Sequence, residues 1–244
     1  MNIIQLAKYK KMFGGSGSGD NDIEKYFEAQ HAEVVLPNAE SIKSYAFYQD
    51  VTITNISMPK VKIINKYAFE YCSNLAITSL PSGITSIGNY AFHSCSKIAL
   101  TSLPNGLTSI GESAFSGCSN LALTSLSNGL TSIGDYAFSS CKNIAITSLP
   151  SGITSIGNYA FSSCSNLAIT SLPNGITSIG SSAFRECYNL KDLTFEGTPT
   201  SIGNNAFLNC HNLITINVPW AEGAVANAPW GATNATINYN YTGE

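Results

Sequence analysis

Seven cysteines and three histidines are the residues of this 244-residue chain most capable of chemistry, as nucleophiles, disulfides, metal ligands or general bases. Their spacing argues against each use. The cysteines stand at Cys72, Cys95, Cys118, Cys141, Cys164, Cys187 and Cys210, 23 residues apart throughout. A zinc site draws instead on cysteines separated by about two to four residues. Residues one repeat apart in a parallel array stack at about 4.8 Å with parallel side chains, whereas a disulfide needs Cβ atoms at about 3.8 Å turned toward each other. An odd number also leaves one thiol over. The expectation is a buried ladder in which Cys acts as a small hydrophobe, with Asp50 standing where the first rung would fall. His31, His93 and His211 sit in different repeat contexts, and no Ser/His/Asp order or paired carboxylates recur beside them. His93 stands where three other units carry Ser and reads as solvent exposed. The glycines are a full repeat apart and form no phosphate-cradling cluster. No catalytic residue, cofactor or metal is expected, and the chain does not read as an enzyme.

What positions these residues is a repeat, and a fixed period of 20 to 50 residues marks a solenoid or propeller. Ala-Phe pairs end at Phe47, Phe69, Phe92, Phe115, Phe138, Phe161, Phe184 and Phe207, and only the first interval is one residue short. In the unit Cys141 to Phe161 the apolar positions are Ile144, Ile146, Leu149, Ile153, Ile156, Ala160 and Phe161. A strand of some five residues should follow each Cys and stop at Pro81, Pro104, Pro150 or Pro173, because Pro has no N–H for a ladder bond; Ser127 replaces it once. Gly88, Gly111, Gly134, Gly157, Gly180 and Gly203 indicate a turn with positive φ or a close approach. The Tyr-Ala-Phe segment predicts one helical or 3₁₀ turn. The strands would form a parallel sheet along the inner face, backed by Phe, Ala, Ile and Cys.

The pattern Cys-x-x-Leu, a strand ending in Leu-Pro, then Ile-x-x-Ile-Gly-x-x-Ala-Phe-x-x-Cys resembles the BspA-like, treponemal-type leucine-rich repeat, over roughly 34–219. The resemblance implies an α/β repeat solenoid: a right-handed superhelix with a parallel β-sheet on the concave face, short helical or 3₁₀ turns behind, and caps at both ends. It also implies adhesion or protein binding at a bacterial surface, and hence a cell-surface or extracellular location. One departure stands out. The outer units space their strand residues as Leu190, Leu193 and Phe195, or Leu213, Ile216 and Val218. Five central units move the middle residue one place earlier, to Ile77, Leu100, Leu123, Ile146 and Ile169. A strand of period two cannot bury both Ile77 and Leu80, so a bulge or early strand end is expected near Thr78 and Ser79.

Partner binding should use exposed repeat positions. The candidates are Thr78, Thr101, Thr124, Thr147 and Thr170 beside Ser79, Ser102, Ser125, Ser148 and Ser171. Interface hot spots favour Trp, Tyr and Arg, so this bland face reads either as solvated sheet or as an epitope. The stripe of Tyr45, Tyr67, Tyr90, Tyr136 and Tyr159 is a stickier surface, with amphipathic packing at the coil edge as its alternative. A protein or glycan partner is expected.

The ends complete the organisation: 1–20 as N-terminal helix and Gly/Ser linker, 21–50 as N-terminal cap and first repeat, 51–218 as leucine-rich repeats, and 219–244 as C-terminal cap. Met1 to Phe13 reads as a frayed terminus or a short assembly helix, and its apolar-then-basic order is the reverse of a secretory signal. Gly14 to Gly19 is a flexible linker. Asn21 and Glu24 resemble a capping box opening a helix over 22–30. Trp220 and Trp230 read as part of a closing lid, beside a strand from Ala235 to Tyr241. Charged residues make up 11% of the chain and the net charge is -3, so no basic surface points to nucleic acid. No transmembrane segment is expected. An alternative to the surface adhesin is a structural or receptor-binding component of a prophage tail-like assembly, virion-associated or cytoplasmic, docked through its N-terminal helix.

Overall fold

The computed structural model describes residues 32–243, so the expected helices over 1–13 and 22–30 and the linker between them lie outside the described residues. Fourteen short strands follow along these residues. They are β1 (Glu33–Val35), β2 (Ser41–Ile42), β3 (Asn55–Ser57), β4 (Ile63–Ile64), β5 (Ser86–Ile87), β6 (Ser109–Ile110), β7 (Ser132–Ile133), β8 (Ser155–Ile156), β9 (Ser171–Leu172), β10 (Ser178–Ile179), β11 (Asp192–Phe195), β12 (Ser201–Ile202), β13 (Thr215–Asn217) and β14 (Thr236–Asn238). Every pairing is parallel, and equivalent residues of successive repeats face each other, as in Ile87 against Ile110. Each repeat is therefore one coil, and side chains stack with their own copies.

The regular ladder is not where the leucine spacing placed it. β2, β4, β5 and β6 pair in order, as do β7, β8, β10 and β12, so the Ser-Ile dipeptide before the glycine column carries most of the continuous pairing. The expected five-residue strand after each Cys is missing from the central coils. Leu75 and Ile77 are buried, Thr78 and Ser79 are both exposed, and Leu80 turns partly back in. Two consecutive outward residues break the alternation that a strand requires. In the outer unit the exposed pair, Lys191 and Asp192, comes earlier, leaving Leu193 and Phe195 to alternate within β11. The backbone of the central segment is held mainly at the alanine, where Ala99 N–H donates to Ile77 O at 3.0 Å and Ala122 N–H to Leu100 O at 3.0 Å.

The helical or 3₁₀ turns expected behind the sheet are also absent: among the described residues there is no helix. The Tyr-Ala-Phe segment is a run of turns with two left-handed residues per coil, such as Tyr90 (φ 57) and Ser94 (φ 58). Each reverses the right-handed screw that a helix must repeat. Alternate amides have different partners. Ala91 N–H donates within its own turn to Gly88 O, while Tyr90, Phe92 and Ser94 donate to Glu112, Ala114 and Ser116 of the following coil at 2.7–2.8 Å.

The core is a set of ladders. All eight Ala-Phe pairs are buried, and the Phe rings stack coil upon coil at 5.1–5.7 Å with planes within 10°. The glycine column serves close approach. A Cβ at Gly88 would lie 2.6 Å from Lys66 N, and one at Gly157 2.6 Å from Asp135 N. Past the last full repeat, Phe207 N–H donates to Trp230 O at 3.0 Å, Trp230 is buried, and Trp220 lies edge-on to Phe195 at 5.2 Å. β14 adds to β13 in register.

Candidate functional site

The cysteines line a buried wall, all seven unpaired. Each thiol donates to the carbonyl of the Phe in the preceding coil: Cys72 to Phe47 O at 2.9 Å, Cys141 to Phe115 O at 3.0 Å, Cys210 to Phe184 O at 3.0 Å, and the other four alike. Most of these carbonyls also accept an N–H from their own coil, as Phe115 O does from Cys118, so the thiol occupies the second lone pair of a buried acceptor. The reading as a mere small hydrophobe missed this. The cysteine period is plain in the sequence, but a thiol donor and a small hydrophobe give the same period, so spacing alone does not separate them. Burial pushes the Cys118 and Cys210 thiols up to about 12, and Cys72, Cys95, Cys141, Cys164 and Cys187 also upward. The thiolate, the reactive form, is thereby suppressed at neutral pH. In the first coil Asp50 Oδ1 instead accepts from Thr52 N at 2.9 Å and Thr52 Oγ1 at 2.6 Å.

The hydroxyl candidates lie on one surface. Thr78, Thr101, Thr124, Thr147 and Thr170 are exposed, as are Ser79, Ser102, Ser125 and Ser148. Ser171 is half-buried in β9, and its hydroxyl donates to Glu196 Oε1 at 2.8 Å. Sequence reasoning passed over a second exposed threonine column. There Thr108, Thr154, Thr177 and Thr200 donate their hydroxyls to the carbonyl one coil back at 2.8–3.2 Å. The two columns differ in availability: among the described residues, the side chains of Thr78, Thr101, Thr124, Thr147 and Thr170 form no hydrogen bond.

The tyrosine stripe is two stacks. Tyr45, Tyr67 and Tyr90 stack at 4.8 and 5.1 Å, and Tyr136 stacks on Tyr159 at 4.8 Å. Ser113, at the same left-handed position, interrupts them. Tyr136 is exposed, while Tyr90 and Tyr159 are half-buried. Tyr90 OH donates to Glu112 Oε1 at 2.7 Å, and this bond is the main cause of its raised pKa. The solvent-exposed reading of His93 is corrected: it is half-buried, edge-on to Tyr71 at 5.4 Å and to Tyr90 at 5.7 Å, and its Nδ1 is buried without a partner. Burial lowers its pKa. Ser127, at the proline position, places its single hydroxyl proton between two acceptors, Asn105 O at 3.0 Å and Leu107 O at 2.9 Å.

Among the described residues no three His, Cys, Asp or Glu side chains gather as a metal set, and no helix is long and apolar enough to cross a membrane. A cavity of about 400 Å³ opens between the 222–229 loop and Ile237 and Tyr239.

Comparison with known proteins agrees with this geometry. The family profile described as "BspA type Leucine rich repeat region" matches six copies over residues 40–168 and 131–222. A search of curated proteins returned no match. Among solved structures, a leucine-rich repeat protein from Bacteroides ovatus is similar at 22% identity and a TM-score of 0.60. The match covers 85% of this chain and 60% of that one, so the chain spans three-fifths of that protein's length. A T. pallidum leucine-rich repeat protein is similar at 28% identity and a TM-score of 0.56, covering 75% of this chain and 78% of that one. With its coils in parallel register and six repeat copies matched, the chain belongs to the BspA-type leucine-rich-repeat family.

Proposed function

We propose that this chain is a non-enzymatic interaction module that binds a protein or glycan partner at a bacterial surface through its threonine-serine array. The observation that carries the reading is the contrast between two threonine columns. Where Thr108 to Thr200 bond back to their own scaffold, Thr78 to Thr170 leave their hydroxyls facing solvent and uncommitted among the described residues. Hydroxyls held at one-coil intervals on a rigid backbone offer donors and acceptors at little ordering cost. The buried thiols, held protonated, suit a scaffold rather than a nucleophile.

The test is a binding screen of the full chain against extracellular-matrix proteins and glycans, repeated with Thr124→Arg and Ser125→Arg together at the centre of the array. The expected result is a partner whose affinity falls at least tenfold in the double variant, with the circular dichroism spectrum unchanged. Equal binding by both proteins would reject the array as the site. Fractionation of native cells tests the location, since recovery away from the envelope and the medium would reject surface display.

A further inference from the structure

The column that carries His93 places Tyr48, Glu70 and His93 in three successive coils. The inter-coil bonds fix this register: Gln49 N–H donates to Glu70 O at 2.7 Å and Tyr71 N–H to His93 O at 2.8 Å. Tyr71, in the Glu70 coil, is edge-on to both Tyr48 at 6.3 Å and His93 at 5.4 Å. On the other flank Tyr67 stacks between Tyr45 and Tyr90, with Tyr45 edge-on to Tyr48 at 5.7 Å. Glu70 thus shares this edge of the stack with aromatic side chains of its own coil and of the coils on either side. It is only 7% exposed, yet among the described residues its carboxylate has neither a hydrogen bond nor an ion pair. Lys66, four residues earlier, does not pair with it.

Its stem is enclosed while its oxygens keep a narrow contact with solvent, so the carboxylate is held with reduced hydration and no protein donor, a state that a cation or a proton relieves. The surrounding rings favour the cation, because π faces attract ammonium groups, the more so where water is excluded. Tyr45 and Tyr71 remain 38% and 42% exposed at the rim, so the ring of side chains opens outward.

We infer that Glu70, with Tyr48, Tyr71 and His93 around it, forms a binding site for an organic ammonium group, whether the side chain of a lysine on a partner protein or a small free amine. The carboxylate supplies the counter-charge and the rings the walls. The site lies on the turn edge of the first coils, away from the threonine-serine array. It is probed with small cations, so its outcome is independent of the binding reading above.

The experiment follows the tyrosine ring signals of the full chain by NMR at pH 7 during titration with three probes: n-butylammonium chloride, the peptide acetyl-Gly-Gly-Lys-Gly-Gly-amide, and the same peptide with its lysine acetylated. The expected result is saturable shifts of the Tyr48 and Tyr71 rings with butylammonium, the lysine peptide or both, and none with the acetylated peptide. Affinity should fall at least tenfold in Glu70→Gln, which preserves shape and removes charge, and at least threefold in Tyr71→Leu. Tighter binding of the lysine peptide than of butylammonium assigns the source to a protein, and the reverse to a free amine. Absence of saturable shifts with either cation, or equal binding by folded Glu70→Gln, overturns the site.

Discussion

Replacing Phe138 by alanine removes one rung from the middle of the aromatic ladder. The ring is fully buried and stacks on Phe115 at 5.7 Å and on Phe161 at 5.4 Å. A Phe-to-Ala change in such a site costs about 3–5 kcal/mol, lost stacking included. That rivals the roughly 5–15 kcal/mol that holds a typical domain. In a globular core the whole molecule would share the loss. Here each coil touches only its neighbours, so the stack should open beside the missing rung first. Hydrogen exchange of the turn-edge amides reads this directly. Protection of Phe115 N–H, which donates to Ala137 O, and of Phe138 N–H, which donates to Ala160 O, should fall by about a hundredfold to a few thousandfold. The same bonds far away, Phe47 to Ala68 O and Phe184 to Ala206 O, should change by less than about tenfold. A uniform loss from one end of the chain to the other would refute nearest-neighbour stability.

The same geometry sets further outcomes. Gly157→Ala should destabilise by about 1–3 kcal/mol, because its Cβ would meet Asp135 N at 2.6 Å; Gly83→Ala, whose nearest neighbour would be 3.9 Å away, should be neutral or stabilise by up to about 1 kcal/mol, both read by denaturant melts. The seven thiols should resist iodoacetamide at pH 8 until the chain is unfolded. Because burial raises the Cys118 and Cys210 thiols to about 12, their contribution to stability is intact below the unfolded value near 9 and is lost as pH rises toward 12; the melting temperature should fall across that window, and a flat profile would contradict the ladder. Burial raises Glu70 as well, so Glu70→Gln should raise the melting temperature at pH 7 and lose that advantage at pH 3, where the native carboxyl is already neutral. Ser127→Ala should cost about 1–2 kcal/mol, because it removes the one donor that Asn105 O and Leu107 O share.

Much of the architecture was legible because a repeat states each fact several times over. The Phe, Cys and Gly columns announced buried ladders and a close approach, and the shifted Ile77 announced the broken strand. The misplaced elements have a common cause. A two-residue strand such as Ser86–Ile87 is too short to show period two, so its ladder emerges only when eight coils are stacked. The left-handed Tyr90 and Ser94 are not glycines, and their conformation follows from bonds to the next coil rather than from local preference. The candidate surfaces divide likewise. Exposure of the Thr78 column followed from alternation, but only coordinates separate free hydroxyls from those bonded along the Thr108 column. The Glu70 cluster was invisible because its members, Tyr48, Glu70 and His93, are different residues in one column. Repetition reveals ladders and hides what varies within them.

The direction of the bonds between coils has one more consequence. On the turn edge Tyr90, Phe92 and Ser94 send their amide hydrogens toward the C-terminal end; elsewhere in the repeat Ala99, Thr108 and Gly111 send theirs toward the N-terminal end. In a helix every peptide dipole points one way, and the aligned units leave about half a unit charge at each tip. In this stack the two sets run antiparallel, so each added coil contributes opposing dipoles. The two sets offset each other, so a longer array builds no helix-like macrodipole, and its ends need only the same local closure whatever the number of units between them. Near-identical repeats that are gained or lost by recombination would therefore leave the termini electrostatically undisturbed, and the array can change its reach without redesigning its ends.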